Sequence, residues 1–244
     1  MKIKTAQNLT SWGTTIAVIG ALAVILSGYG YQWGWWHFSF GFSMIPYGTA
    51  GAVVGGILAL IGFLKLKDRT GKMKTAGITS IIIVVAALGN ISYWYMEVQK
   101  GYPPIHDITT DTENPPEFVA IAPLRAEAPN PVEYAGAETA EAQKNYYGDL
   151  QPIITAYDYD EAYDRALKTA RNMGWSLVAE NKEEGRIEAY EKLAWYGFID
   201  DVVIRVDTTE TGSQIDIRSK SRIGRGDLGV NAKRIKAYKQ EFEN

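Results

Sequence analysis

Three long apolar runs occupy the first 96 positions, at about 12–29, 44–64 and 75–96, and none carries a charged side chain. Crossing a hydrocarbon core of ~30 Å takes roughly 20 helical residues, so the second and third runs are long enough and the first is marginal. Beyond them the pattern changes. Asp158, with Glu161 three residues on, predicts a capped helix that carries Tyr163, Ala166, Ala170 and Met173 on one face and ends at Gly174. Alternation then marks four strands, at about 175–181, 186–193, 201–208 and 213–221, joined by hairpin turns such as Lys-Glu-Glu-Gly and Glu-Thr-Gly. A last helical stripe holds Leu228, Ala232, Ile235, Tyr238 and Phe242. The pattern predicts a three-helix transmembrane bundle followed by an α+β two-layer domain, an antiparallel four-stranded sheet with helices on one face.

Two stretches lack a period. Gly101-Tyr-Pro-Pro-Ile-His-Asp-Ile-Thr-Thr-Asp-Thr-Glu-Asn-Pro-Pro116 has paired prolines at both ends and reads as extended and tightly turned. The stretch 122–151 is rich in Ala, Glu and Pro and reads as a long loop or linker.

Charge divides the chain at the same place as hydropathy. Residues 1–96 hold seven Lys/Arg and one acid, Asp68, whereas residues 97–244 hold 18 Lys/Arg and 27 Asp/Glu. The first part is thus expected to be a membrane domain and the second a soluble α+β domain. The acidic balance of the second part argues against nucleic acid, which requires clustered positive charge. No cysteine is present, so disulfides, thiol nucleophiles and thiolate metal sites are excluded.

Five basic residues lie in the loop Lys65–Lys74 and two more, Lys2 and Lys4, precede the first run, while the loop between the first two runs has none. The positive-inside rule then puts the N-terminus in the cytoplasm of a bacterial inner membrane and, after three spans, the domain in the periplasm. The first run is expected to be retained rather than cleaved, since its basic residues stand well before it and no small-x-small site follows.

Candidate chemistry is sparse. The loop Tyr29–Phe40 is densely aromatic and reads as an interfacial belt; a quinone, haem or pigment site is the alternative, with His37 its one axial candidate. Gly51-Ala-Val-Val-Gly55 is a small-xxx-small pattern that either packs the spans together or faces another subunit. His106 with Asp107 and Asp111 is the one place where an imidazole sits among carboxylates, as general acid–base chemistry or a metal site would use. A structural turn is the alternative, and no metal or cofactor is expected.

Alternation in the last two strands points Val202, Ile204, Val206, Ile215 and Ile217 one way and Asp201, Arg205, Asp207, Asp216, Arg218, Lys220 and Arg222 the other. The charged face is either a lattice of cross-strand ion pairs or a site for an anionic ligand or partner. Gly224-Arg-Gly-Asp-Leu-Gly229 matches a dinucleotide fingerprint, yet no parallel strand follows; Asp227 is expected to cap the last helix and no dinucleotide is expected.

Three stretches carry a resemblance. Ile105-His-Asp-Ile-Thr-Thr-Asp111 with Pro115-Pro116, Gly197-Phe-Ile-Asp-Asp-Val-Val-Ile-Arg205, and Asp216-Ile-Arg-Ser-Lys-Ser-Arg222 continuing to Gly229-Val-Asn-Ala-Lys-Arg-Ile235 resemble the family catalogued as domain of unknown function 1499. The resemblance covers about residues 100–240 and implies an envelope or plastid setting without an activity. It also implies that His106, Asp107, Thr110, Asp111, Asp201, Arg205, Arg218, Ser221, Arg222 and Asn231 form one polar constellation.

The expected function is a membrane-anchored protein whose periplasmic domain binds an envelope partner or anionic ligand through Asp201, Arg205, Asp216, Arg218, Ser221, Arg222, Asn231 and Arg234. One alternative is an envelope hydrolase with His106 as base and Asp107 or Asp111 orienting it. The other is an accessory subunit of a respiratory or photosynthetic membrane complex.

Overall fold

A computed structural model describes residues 2–244. The chain forms two compact units, one running to Lys100 and including Trp195–Gly197, the other comprising Gly101–Ala194 and Phe198–Asn244.

The first unit holds α1 (Ile3–Gln32), α2 (Phe38–Leu64) and α3 (Gly71–Gln99), each long and apolar enough to cross a membrane. They extend several residues beyond the apolar runs. Side-chain caps set two starts, since His37 accepts from Ser39 N at the head of α2 and Thr70 accepts from Met73 N at the head of α3.

Small residues recur every three or four positions along both α1 (Ala6, Thr10, Gly13, Ala17, Gly20) and α2 (Gly48, Ala52, Gly55, Ala59, Gly62), and all of these are buried. A Cβ on Gly13 would lie 2.4 Å from Ala59 N, one on Gly20 2.4 Å from Ala52 N, and one on Gly55 2.6 Å from Ala17 N. The two backbones therefore touch, which is how helices associate where lipid removes the hydrophobic incentive. Gly55 packs against α1, and Gly51 lies beside Gly20. Between α1 and α3, Thr14 Oγ1 and Ser80 Oγ are 2.9 Å apart. From the aromatic loop Trp36 Nε1 donates to Ser27 O, and from Trp195–Gly197 Tyr196 OH donates to Ser27 Oγ and Trp195 Nε1 to Ile25 O.

The second unit is built on an all-antiparallel sheet of six strands, β1 (Asp107–Thr109), β2 (Ile153–Thr155), β3 (Ser176–Asn181), β4 (Arg186–Lys192), β5 (Ile199–Thr209) and β6 (Gly212–Ser221). Their order is β1-β6-β5-β4-β3, with β2 also on β6. The expected four strands are β3 to β6. The two additional ones are three residues each, too short for alternation to mark them, and they share the outer edge of β6. There Asp107 to Thr109 lie opposite Lys220 to Arg218, and Ile153 to Thr155 opposite Ile215 to Ser213. Thr110 fills the gap between them: its N–H donates to Ile217 O and its hydroxyl accepts from Ile217 N, 2.9 Å each.

The stretch 122–151 is not simply a linker, for it contains a 3-10 turn, Ala122–Arg125, and α4 (Ala137–Tyr146). Gln143 of α4 supplies what a further strand would, its Oε1 accepting from Thr109 N at 3.0 Å and its Nε2 donating to Thr109 O at 2.6 Å. The free edge of β1 is closed in this way.

Helices α5 (Tyr159–Asn172) and α6 (Val230–Glu243) cover one face of the sheet. Asp158 caps α5 by accepting from Glu161 N, and Gly174 ends it at φ +73°. The alternating residues Val202, Ile204, Val206, Ile215 and Ile217 meet Ala162, Ala166, Ala170, Ala232, Ile235, Tyr238 and Phe242 in one core. Trp175 stacks on Tyr238, centroids 5.4 Å apart, while the Tyr238 hydroxyl donates to Ala166 O. Leu228 departs from the expected stripe. It precedes α6 at φ 52° and is 40 % exposed, because the chain turns twice at 228–229 before the helix begins.

Candidate functional site

The second face of the sheet carries the charged residues, and it is covered. Residues 110–135 cross it as irregular chain, with Phe118 and Ile121 buried against Val203. Irregular chain in a buried place leaves main-chain carbonyls without ladder partners, and each must find a donor. The cations of β5 and β6 supply them.

Arg218 spans both oxygens of Asp107, with Nε to Oδ1 and Nη2 to Oδ2 each 2.9 Å. Its remaining donors reach Pro116 O at 3.1 Å and Val132 O at 3.0 Å, and its guanidinium lies near the rings of Phe118 and Tyr134. Lys220 adds Nζ to Asp107 Oδ2 at 2.9 Å and donates to Glu133 O. All three side chains are nearly inaccessible. Burial holds the Lys220 ammonium below its usual pKa, against the pull of Asp107.

A second group centres on Asp201. Arg222 holds it through Nε (2.9 Å to Oδ2) and Nη2 (2.7 Å to Oδ1), and donates Nη1 to Leu124 O at 3.0 Å. Arg125, from the covering segment, brings Nη1 to Asp201 Oδ2 at 3.1 Å and Nη2 to Asn130 O at 3.1 Å. Its side chain is wholly buried, which lowers its pKa despite Asp201.

A third group forms around Arg205, whose Nη2 reaches Asp111 Oδ2 at 3.0 Å and Asp216 Oδ2 at 2.9 Å, with Nη1 on Asn114 O at 2.9 Å. Asp216 also accepts from Thr110 and Gln214. Burial raises the Asp111 pKa, but the N–H groups of Asn114 and Glu113 and the Arg205 guanidinium outweigh it and hold the carboxyl below its ordinary 3.8.

The segment is fixed further along by Glu188 of β4. Its fully buried carboxylate accepts from three successive amides, Val119 N (3.1 Å), Ala120 N (2.9 Å) and Ile121 N (2.8 Å), with Arg186 Nε 2.9 Å away. The sequence reading did not single out Glu188 or Arg125. Strand alternation beside Ile187 would have placed Glu188 on the charged face, whereas Arg125 lies in an aperiodic stretch that gives no such signal.

The expected single constellation is divided between the two faces of the sheet. Ser221 keeps the parity of Ile215 and Ile217 and so lies on the helix side, where its Oγ accepts from Asn231 Nδ2 at 2.9 Å. Arg234 completes that network, with Nη1 on Ser219 Oγ (3.0 Å) and Asn231 Oδ1 (2.6 Å), Nη2 on Asp200 Oδ2 (2.7 Å) and Nε on Glu191 Oε2 (2.7 Å). His106 joins through its main chain, its carbonyl accepting from Ser221 N and Asn231 Nδ2. Its ring Nδ1 stands 3.4 Å from Arg225 O, and among the described residues no hydrogen bond or ion pair links it to Asp107 or Asp111.

Asp227 caps α6 from two residues before the cap position, accepting from Gly229 N and Asn231 N at 2.8 Å each. The glycines of the fingerprint-like turn face the domain's own chain, since a Cβ on Gly229 would lie 2.6 Å from the Tyr102 ring and one on Gly226 3.1 Å from Pro104. Among the described residues no three His, Asp or Glu side chains converge as metal ligands.

A family model described as protein of unknown function (DUF1499) matches residues 107–242, more than half of the chain, beginning on the Asp107 that Arg218 and Lys220 hold. The chain belongs to this family. No curated protein and no solved structure matches it. Of the residues singled out from the sequence, the DUF1499 domain gathers Asp107, Arg218 and Lys220 into one group, Asp201 and Arg222 into a second, Asp111, Arg205 and Asp216 into a third, and Ser221, Asn231 and Arg234 into a fourth behind the sheet.

Proposed function

We propose that this is a membrane-anchored accessory protein, held in a bacterial inner membrane by α1 to α3 with its N-terminus cytoplasmic, whose periplasmic DUF1499 domain binds an envelope protein partner. One observation carries the choice of a protein over a small anionic ligand. The guanidinium and ammonium groups of Arg218, Lys220 and Arg222 are already bound to Asp107, Asp201 and the carbonyls of the covering segment. A free anion would have to displace both. Binding then falls to the domain's outer surface, with the networks keeping that surface rigid.

The test is extraction of tagged protein in mild detergent, followed by mass spectrometry of what accompanies it. A stoichiometric protein partner is the expected result. Recovery of the chain alone, with unaltered yield after chemical cross-linking in intact cells, would end this reading. Protease treatment of spheroplasts tests the orientation independently, since only a periplasmic domain is cut.

A further inference from the structure

We propose that a cleft at the edge of the domain, bounded by residues 110–113, the end of α4 and the approach to β2, binds a neutral, hydroxyl-rich ligand of one or two sugar rings. Its volume is about 540 Å³, within the ~300–1,000 Å³ typical of small-molecule sites. The chemistry of its lining sets the class of ligand.

Gln151 donates Nε2 to Gly148 O at 3.1 Å, and Gln214 donates Nε2 to Asp216 Oδ2 at 2.9 Å. Gly148 O is a carbonyl and Asp216 Oδ2 also accepts from Arg205, so each amide is oriented nitrogen-first and its own oxygen is left over. Among the described residues neither amide oxygen nor the Thr112 hydroxyl has a hydrogen-bond partner, and all three residues line the cleft. The charged groups of the lining are already engaged: Glu113 pairs with Lys144, both largely exposed, and Asp111 with Arg205, which also serves Asp216. What remains uncommitted among the described residues is a set of neutral polar groups, these acceptors and the Tyr147 hydroxyl, which is buried without a hydrogen-bond partner, flanked by Leu150 and Pro152. Sugar hydroxyls offer donors without charge, and the C–H faces of a sugar ring suit the apolar wall. This inference concerns a different surface from the partner reading and stands without it.

The test uses the full chain in a detergent without a sugar headgroup, titrated calorimetrically with maltose, with N,N′-diacetylchitobiose and with spermidine as a donor-rich cation. One neutral disaccharide is expected to bind saturably at one per chain. Thr112→Val removes an acceptor that the fold does not use and should weaken binding about two- to tenfold while the unfolding midpoint stays put; Gln151→Met should weaken binding as much, with a small loss of stability from its Nε2 bond to Gly148 O. Failure of both disaccharides to saturate, affinity unchanged in both variants, or a response to spermidine alone would overturn the proposal.

Discussion

Arg218 grips both oxygens of Asp107 at 2.9 Å, with side-chain exposures of 3 % and 1 %. The two residues lie 111 positions apart, one on the short strand that opens the domain and the other on its central hairpin. Removing one member of a buried pair strands the other charge, at a cost of about 3–5 kcal/mol. Arg218→Met and Asp107→Leu should each destabilise the domain by that order in urea unfolding of the full chain. The double variant should cost less than the sum of the two, because Arg218 and Asp107 no longer strand each other, although Lys220 still loses its carboxylate.

Glu188 predicts a local effect. Glu188→Gln keeps the shape but leaves one oxygen to serve three amides and replaces charge-assisted hydrogen bonds with neutral ones. The loss should be about 1.5–3 kcal/mol. Hydrogen exchange at Val119 to Ile121 should quicken at least tenfold, whereas the amides of α5 should be unaffected.

In the three apolar helices, two glycines should respond differently. Gly20→Leu forces a side chain into the Ala52 backbone and should prevent α1 from packing on α2, seen as loss of cross-linking between cysteines introduced on α1 and α2 and as reduced accumulation. Gly89→Leu meets nothing within 4 Å and should accumulate normally.

Asp111 sets an acid limit. Its carboxyl titrates lower in the folded domain than its ordinary 3.8, so its contribution is present above that value and is lost as pH falls through the folded pKa. The start of the covering segment should therefore loosen below about pH 4, measurable as faster exchange at Glu113 and Asn114. Asp111→Asn should be looser at neutral pH and should lack this acid step.

The helical stripes and the β5–β6 hairpin were legible because each has one apolar face on a single core. Val202, Ile204 and Val206 alternate against Asp201 and Arg205, and that contrast fixes the register. Alternation does not reveal whether the polar face meets water or more chain, and for that reason the buried state of Asp201, Asp216 and Lys220 was not readable. Ser221 shows the other gap. The strand keeps its parity after its apolar residues end, so a serine among charges belongs to the helix side, with Asn231. Strands of three residues such as β1 carry too few positions for any period. Their pairing rests on partners distant in sequence, such as Lys220 and Gln143.

The covering segment is held largely by its main-chain oxygens. Pro116, Leu124, Val132 and Glu133 are bound by atoms that every residue type possesses. The sheet thus recognises the route of this segment rather than the identity of those side chains. Replacing Glu133 or Leu124 leaves the anchoring atoms where they were, whereas replacing Arg218 or Arg222 removes the hooks themselves. Sequence can drift along one partner of this contact while the other is confined, and a shortened or lengthened segment would be felt where a substituted one is not.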